Sequence, residues 1–262
     1  MSFVEQIGVL ILTYNEAPNI ERTLSKLGWA QRILIIDSGS TDQTIEIAGR
    51  HPHVEVIHRR FDDFAKQCNF GLSRIGTDWV LSLDADYELS DAIVAELKEL
   101  TPPTDIGGYE ARFIYRIHGR SLRGTLYPPR VVLYRREGAN YRNEGHSHQV
   151  IIGARVLPLT GPIYHDDRKP LARWFISQQR YAKIEAEHLL SAKSAELSRI
   201  DRIRLLAGPA PFAALLYTLI VKKCLLDGWV GWFYALQRMC AETMIALEIT
   251  NRRLDRIETK GP

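Results

Sequence analysis

The chain has 262 residues, enough for one large or two small domains with a buried core. Hydrophobic residues make up 45% of it and charged residues 25%, a balance that excludes a disordered, collagen-like or disulfide-rich protein. The net charge of +3 gives no reason to expect a nucleic acid partner. The three cysteines are widely spaced and no basic segment precedes the first apolar run, so we expect a reducing, cytoplasmic location.

The first part of the chain alternates short apolar runs with amphipathic segments. The runs predicted to be buried strands are Ile7–Thr13, Arg32–Asp37, Val54–His58 and Trp79–Asp84. Apolar residues at helical spacing follow each strand, and Ser90 is placed to cap the fourth helix. This alternation predicts an α/β fold in which a mostly parallel sheet has helices on both faces.

The pattern changes after two consecutive prolines at 102 and 103. Three segments then alternate like strands and are expected to add to the sheet in mixed or antiparallel fashion: Tyr109–Ile117, Arg130–Tyr134 and Gln149–Ile152. From Leu171 onward the chain is predicted to be helical. We therefore expect an α/β catalytic domain over residues 1–165 and a helical region over residues 166–262.

The helical region contains an apolar run over residues 205–221, which is uncharged for 17 positions and is broken near its start by glycine and proline. It is at the short limit for a membrane crossing, so peripheral binding at a membrane surface is the prediction. Lys222 and Lys223 follow the run, and four aromatic residues come next: Trp229, Trp232, Phe233 and Tyr234. An ordinary helical core or an oligomer contact is the alternative.

Polar residues follow three of the predicted strands, in the segments Thr13–Glu16, Asp37–Asp42 and Asp84–Asp86. The carboxyl ends of parallel strands meet at one edge of a sheet, where such folds bind ligands. Asp84 and Asp86 stand two residues apart, and hard carboxylate oxygens suit a Mg²⁺ or Mn²⁺ ion that is shared with substrate phosphates. The sequence predicts a phosphate-binding metal site at this edge.

Three motifs, ILTYNEAPNIERTL, ILIIDSGSTDQTIEIA and DWVLSLDADYEL, resemble the family 2 glycosyltransferases with the nucleotide-diphospho-sugar transferase (GT-A) fold, over roughly residues 5–165. The resemblance implies inverting transfer of a sugar from a nucleotide diphosphate. It also implies roles for individual residues. The donor would contact Thr13, Tyr14, Asn15, Glu16, Asp37 and Asp84. Asp37 would accept from the base, Asp84 would face the ribose or the metal, and Asp86 would bind the metal.

Later segments are more similar to the lipopolysaccharide core-biosynthesis β-glucosyltransferases of that family. This similarity implies a UDP-sugar donor, with glucose preferred, and a lipopolysaccharide-core or other glycolipid or polysaccharide acceptor. The stretch Glu144–Gln149 resembles the family's E-G-x-V-H-E, but an amide stands at its last position. An amide takes no proton from an acceptor hydroxyl, so Glu144 and His148 remain as candidate bases, with Glu144 preferred. By the same resemblance, His165 is expected near the metal and diphosphate.

Eight arginines and a single acid lie within residues 112–142. Because the planar guanidinium group suits phosphate and carboxylate, we expect Arg123 and Arg130 to contact an anionic acceptor. A solvated strand face is the alternative.

Two other functions stay open at this point. A nucleotidyltransferase would use a related sheet, but the loop after the first strand, TYNEAPN, lacks the glycine and lysine that hold a triphosphate. A catalytically inactive membrane-surface scaffold would explain the amide at Gln149. The sequence also leaves homo-oligomer formation open.

Overall fold

The computed structural model describes residues 2–144, 147–193, 195 and 197–258, without the side chains of residues 144, 147, 148 and 256–258. It divides into two compact units. The first unit extends to Ser121 and resumes over Tyr127–Lys169, and the second comprises Leu122–Leu126 and the chain from Pro170 onward.

The strands and helices are numbered in chain order. The strands are β1 (Ile7–Thr13), β2 (Ile33–Asp37), β3 (Val54–His58), β4 (Trp79–Asp84), β5 (Tyr87–Leu89), β6 (Ile106–Ala111), β7 (Phe113–Ile117), β8 (Arg120–Ser121), β9 (Arg130–Arg135), β10 (Asn140–Glu144), β11 (Ser147–Ile151), β12 (Arg155–Pro158) and β13 (Ile163–His165). The α-helices are α1 (Ile20–Ser25), α2 (Thr44–Ala48), α3 (Phe64–Ile75), α4 (Asp91–Glu99), α5 (Leu171–Ser191), α6 (Arg199–Leu205), α7 (Pro209–Leu216) and α8 (Trp229–Glu258).

A seven-stranded sheet in the order β12-β6-β9-β4-β1-β2-β3 forms the centre of the first unit. Four of its six pairings are parallel, and β9 is antiparallel to both of its neighbours. The α/β architecture with a mostly parallel sheet is therefore confirmed. The antiparallel addition expected at Arg130–Tyr134 is confirmed as well.

Helices cover both faces of this sheet because successive strand residues point to opposite sides. Val9 and Ile11 of β1 join a buried cluster with residues of α1, α2 and α4. Leu10, between them, packs on the other face with residues of α3. The hydroxyl of Ser90 caps α4 as expected, by accepting a hydrogen bond from the N–H of Ile93.

Two predicted strands differ from the structure. The segment Tyr109–Ile117 is divided at Arg112 into β6 and β7. Strand β6 joins the large sheet. Strand β7 belongs to a four-stranded sheet of the order β5-β13-β7-β8. The segment Gln149–Ile152 corresponds to β11, which pairs with β10 in a separate hairpin instead of extending the large sheet. Alternating polarity predicts a strand but not its partner.

The second unit is helical from Pro170 onward. The uncharged run of residues 205–221 is interrupted, because α6 ends at Leu205, α7 begins at Pro209, and a π-helical turn covers Tyr217–Val221. Among the described helices, none is both long enough and apolar enough to cross a membrane.

Candidate active site

Three loops meet at one edge of the large sheet, where β4, β1 and β2 end side by side. Thr13 at the end of β1 pairs with Asp37 at the end of β2, and β4, which ends at Asp84, lies on the other side of β1. Contacts continue beyond the strands, because the N–H of Asn15 donates to the hydroxyl of Ser40 at 2.8 Å. The expected meeting of the polar strand ends is confirmed.

The carboxylate of Asp37 organises the loop that follows β2. Its Oδ1 accepts hydrogen bonds from the hydroxyls of Thr13 and Ser40, and its Oδ2 accepts from the N–H groups of Gly39 and Ser40, all within 2.9 Å. Burial would raise the pKa of Asp37, but these hydrogen bonds outweigh it and lower the pKa. A nucleobase N–H would have to displace one of these donors. Acceptance from the base stays a prediction.

The loop after β1 is joined to the loop after β2 through Asn15. Its backbone has a φ of 55°, a left-handed conformation that asparagine tolerates better than most residues. Its side-chain oxygen accepts hydrogen bonds from the N–H groups of Thr41 at 2.7 Å and Asp42 at 3.3 Å. The neighbouring Tyr14 is half exposed at the same edge. Donor contacts of both residues stay predictions.

Asp86 and His165 form a largely buried pair at the turn after β4. Nε2 of His165 lies 3.3 Å from Oδ2 of Asp86. Burial would raise the pKa of Asp86, but attraction to His165 and Lys169 outweighs it and lowers the pKa to about 2. Burial would lower the pKa of His165. The contact of the imidazole with Asp86 outweighs that effect, so the pKa of His165 is raised. The structure thus brings together the two residues that are expected to bind metal.

The chemistry of this pair suits a divalent ion. Oδ1 of Asp86 and Nδ1 of His165 are buried without a hydrogen-bond partner, although nearly all buried polar atoms have one. Mg²⁺ commonly takes one or two protein carboxylates and completes its shell with phosphate and water. In the described part of the chain, no three His, Cys, Asp or Glu side chains gather as a metal site. An ion here would need ligands from its substrate.

A polar network connects the loop after β1 with the segment after β13. The side-chain amide of the buried Asn19 donates to Glu16 Oε2 and to Asp167 Oδ1, both at 2.9 Å. Lys169 Nζ donates to Glu16 Oε1 at 2.8 Å. Burial raises the pKa of Glu16 to about 7, although Lys169 opposes the shift. Glu16 therefore holds Lys169 and Asn19 at this edge.

Aromatic rings surround the imidazole of His165. The ring centroids of Tyr87, Tyr115 and Tyr127 lie 5.2, 4.6 and 5.1 Å from that of His165. The hydroxyls of Tyr87 and Tyr127 share a hydrogen bond, and burial raises the pKa of both phenols, so they stay neutral. The guanidinium of Arg130 lies 4.8 Å from the Tyr127 ring centroid. This wall fixes the orientation of the imidazole beside Asp86.

The arginines expected at an acceptor cleft do not form one continuous strip. Arg130 begins β9 opposite Ala111, whereas Arg135 ends the same strand opposite Trp79. Arg123 belongs to the second unit, where its N–H and Nε bind the carboxylate of Asp227 at 2.9 and 3.1 Å. Acceptor contacts of Arg123 and Arg130 stay predictions.

The two candidate bases lie in the hairpin formed by β10 and β11. Glu144 is opposite Ser147 in its register, and His148 is opposite Asn143. The side chains of Glu144 and His148 lie outside the described residues, so the assignment of the base stays a prediction. Gln149, where the resemblance expects Glu, is exposed on β11.

Sequence reasoning missed Lys169 and Asn19. The available signal for Lys169 was the run His-Asp-Asp-Arg-Lys at residues 165–169, where charges of both signs follow a short strand. Asn19 gave no signal, because an asparagine before a helix is typical of a cap. Its side chain makes no cap hydrogen bond and instead reaches a partner 148 residues away.

The fold and site together define an α/β protein with a polar, carboxylate-rich site at the carboxyl edge of its sheet. The family model described as "Glycosyl transferase family 2" matches residues 8–147, which are more than half of the chain, and the protein belongs to this family. Membership and sheet order together confirm the expected GT-A fold. The expectation of a glycosyltransferase is confirmed at the level of the family.

Curated relatives carry glycosyltransferase names. An uncharacterized glycosyltransferase of Rickettsia conorii is 27% identical over 171 residues, which cover 62% of this chain and 60% of that protein. The chain thus spans about three fifths of the length of this relative. The lipopolysaccharide core biosynthesis glycosyltransferase LpsC of Rhizobium meliloti is 23% identical over 233 residues, which cover 86% of this chain and 85% of LpsC.

One solved structure with a similar course of the chain is S. aureus TarS 1–349 in complex with UDP-GlcNAc. Its TM-score is 0.46 and its identity 15%, and the match covers 95% of this chain and 92% of the TarS chain. Another is glucosyl-3-phosphoglycerate synthase from Mycobacterium tuberculosis in complex with Mn²⁺, UDP and glucosyl-3-phosphoglycerate. Its TM-score is 0.43 and its identity 15%, over 72% of this chain and 81% of that one.

Proposed function

We propose that the protein is an inverting glycosyltransferase that moves a sugar, with glucose preferred, from a UDP-sugar to a lipopolysaccharide-core or other glycolipid or saccharide acceptor. The observation that carries this proposal is the Asp86–His165 pair at the meeting point of three strand ends, with one buried, unpaired polar atom on each side chain. Similarity to LpsC supports the lipopolysaccharide acceptor.

In this proposal Asp86 and His165 hold Mg²⁺ or Mn²⁺. The ion supplies positive charge that offsets the negative charge on the departing diphosphate. The loops after β1 and β2, fixed to each other through Asn15 and Ser40, bind the nucleoside. The base, Glu144 or His148, takes the proton of the acceptor hydroxyl.

The test is release of UDP from UDP-glucose and UDP-galactose, with and without a truncated lipopolysaccharide acceptor, in Mg²⁺, Mn²⁺ or EDTA. Slow release of UDP without acceptor and fast release with it are the expected results. Absence of both would favour the inactive scaffold. Release of pyrophosphate from UTP and a sugar phosphate would instead indicate a nucleotidyltransferase.

We also propose that the second unit attaches the enzyme to the inner face of the cytoplasmic membrane. A set of large apolar side chains between α7 and the start of α8 is exposed: Phe212, Leu216, Tyr217, Ile220, Val221, Leu225, Leu226, Trp229, Trp232 and Leu236. We call this set the apolar surface. Of the four aromatic residues expected at a membrane, Tyr234 is buried and Phe233 partly buried, so both contribute to packing within the unit.

Charge on this segment favours an anionic membrane. Lys222 and Lys223 lie within it, and its single acid, Asp227, is nearly buried and paired with Arg123. Basic residues near an anionic bilayer contribute about 1 kcal/mol each. An exposed apolar surface flanked by such residues is typical of interfacial binding.

A further inference from the structure

We propose that the ammonium group of Lys169 binds the diphosphate of the nucleotide-sugar donor and stabilises it as the leaving group, an inference that rests on the proposed function. Lys169 lies four residues after His165, in the segment that follows β13. This segment is fixed to the turn after β4, because the N–H of Asp166 donates to the carbonyl of Asp86 at 3.2 Å. Lys169 therefore belongs to the same corner of the first unit as the Asp86–His165 pair.

The ammonium group is held among carboxylates. Its Nζ lies 2.8 Å from Oε1 of Glu16 and 3.5 Å from Oδ2 of Asp167, and its side chain is 18% exposed. Burial would lower the pKa of Lys169, but attraction to Asp86, then Glu16 and Asp167, outweighs it and raises the pKa. The contacts to Glu16 and Asp167 hold the ammonium group at the edge of the sheet that carries the site.

Charge at this edge calls for such a cation. Glu16 and Asp167 contact Lys169, and a diphosphate would bring further negative charge to a site that already contains these acidic side chains and Asp86. The neighbouring Arg168 is bound to Asp166 at 2.8 Å. Lys169 is therefore the basic residue of this segment that is placed to offset the charge of a diphosphate.

The chemistry of a lysine side chain suits the binding of a diphosphate. An ammonium group has three N–H donors, and the two neighbouring carboxylates account for two of them. A compact charge on a flexible stem can bind a phosphate oxygen without the planar geometry that arginine requires. Glu16 then acts as the partner of Lys169 while no donor is bound.

The proposed step balances without proton transfer from Lys169. The acceptor oxygen forms a bond to the anomeric carbon while the bond from that carbon to the diphosphate oxygen breaks. The electron pair of the broken bond stays on the diphosphate, to which Lys169 donates a hydrogen bond. The proton of the acceptor hydroxyl goes to the base in the β10–β11 hairpin.

The competing explanation is purely structural, with Lys169 only joining the loop after β1 to the segment after β13. Titration calorimetry in EDTA with uridine, UMP and UDP distinguishes the two, because uridine lacks phosphate. We expect Lys169→Met to weaken UDP binding about ten- to a hundredfold, to weaken UMP binding less, and to leave uridine binding unchanged. Lys26→Met is the matched control, since Lys26 pairs with the exposed Asp91, and it should leave all three affinities unchanged.

Lys169→Arg keeps the charge and should retain most of the UDP affinity. If Lys169→Met does not fold, the UDP and uridine affinities of Lys169→Gln are compared with those of Lys169→Arg. Thermal unfolding checks that both variants are folded. Equal losses for uridine and UDP, or an unchanged UDP affinity, would overturn the role of Lys169. A wild-type protein that binds neither uridine nor UDP would overturn the proposed donor instead.

Discussion

The imidazole of His165 lies 3.3 Å from the carboxylate of Asp86, although 78 residues separate them in the chain. The contact exists because the short strand β13 pairs with β5, which places His165 opposite Tyr87, the residue next to Asp86. The pairing of β13 with β5 therefore sets the distance between the two proposed metal ligands. It provides a fixed position for the proposed divalent ion.

Replacing Asp86 by Asn should lower sugar transfer at least about a hundredfold while the protein stays folded, because a metal ion supplies several kcal/mol of transition-state stabilisation. The measurement is UDP release in Mn²⁺, with circular dichroism as the check on folding. Asp91→Asn is the matched control, since Asp91 is exposed, and it should be active. Full turnover of the wild type in excess EDTA would contradict the metal requirement.

The same pair predicts how stability depends on pH in metal-free protein. Folding lowers the pKa of Asp86 from 3.8 to about 2, so its contribution of about 2 kcal/mol is present above pH 3.8 and is lost as the pH falls towards 2. Folding raises the pKa of His165, so its contribution is present below pH 6.5 and is lost as the pH rises through the folded-state value.

Wild type and Asp86→Asn should therefore differ most in free energy of unfolding between about pH 4 and 6.5, and less once the pH has risen through the folded-state pKa of His165. Urea unfolding of both proteins across this range, in EDTA, measures the difference. A difference that is independent of pH would show that the pair is not ionised.

Local patterns in the sequence predicted the first four strands, the edge of the sheet that carries the site, and the cap at Ser90, because each depends on neighbours a few residues away. The break at Arg112 and the pairing of β13 with β5 and β7 depend on contacts far along the chain. Asp37 illustrates the limit within the site. Its position was predicted, but not that its own loop already uses both carboxylate oxygens.

Asp37→Ala should raise the donor KM more than it lowers kcat, because a nucleoside contact acts about equally in the ground and transition states. It should also cost about 1–3 kcal/mol of stability, since the N–H groups of Gly39 and Ser40 lose their acceptor. Steady-state kinetics with varied UDP-sugar, together with urea unfolding, test both effects. Thr13→Val removes one donor to Asp37 and leaves the loop N–H groups paired, so it should change KM less. An unchanged KM in Asp37→Ala would contradict a nucleoside role.

Glu144→Gln should lower kcat strongly and leave donor binding intact, because an amide takes no proton from the acceptor hydroxyl. His148→Ala should have a smaller effect on kcat. The measurement is kcat for transfer, with UDP affinity as the control for an intact donor site. The assignment is wrong if His148→Ala is inactive while Glu144→Gln turns over normally.

Liposome flotation tests the proposed membrane attachment. Binding should increase with the fraction of anionic lipid and weaken in a variant with Trp229, Trp232 and Leu226 replaced by Ser, because these side chains are about half exposed or more and belong to the apolar surface. Ile176→Ser is the control, since Ile176 is 69% exposed on α5 and is not part of the apolar surface as defined, and its replacement should leave binding unchanged.

Salt should weaken this attachment only in part. Screening reduces the attraction of Lys222 and Lys223 to the bilayer, but apolar side chains that are buried in the interface are unaffected by ionic strength. We therefore expect the wild type to float in about 0.5 M salt, roughly three times the physiological value. The triple Ser variant, with a smaller apolar surface, should bind more weakly there than the wild type. If the wild type binds no liposome and sediments as an oligomer that the triple variant disrupts, the apolar surface joins two copies of the chain instead.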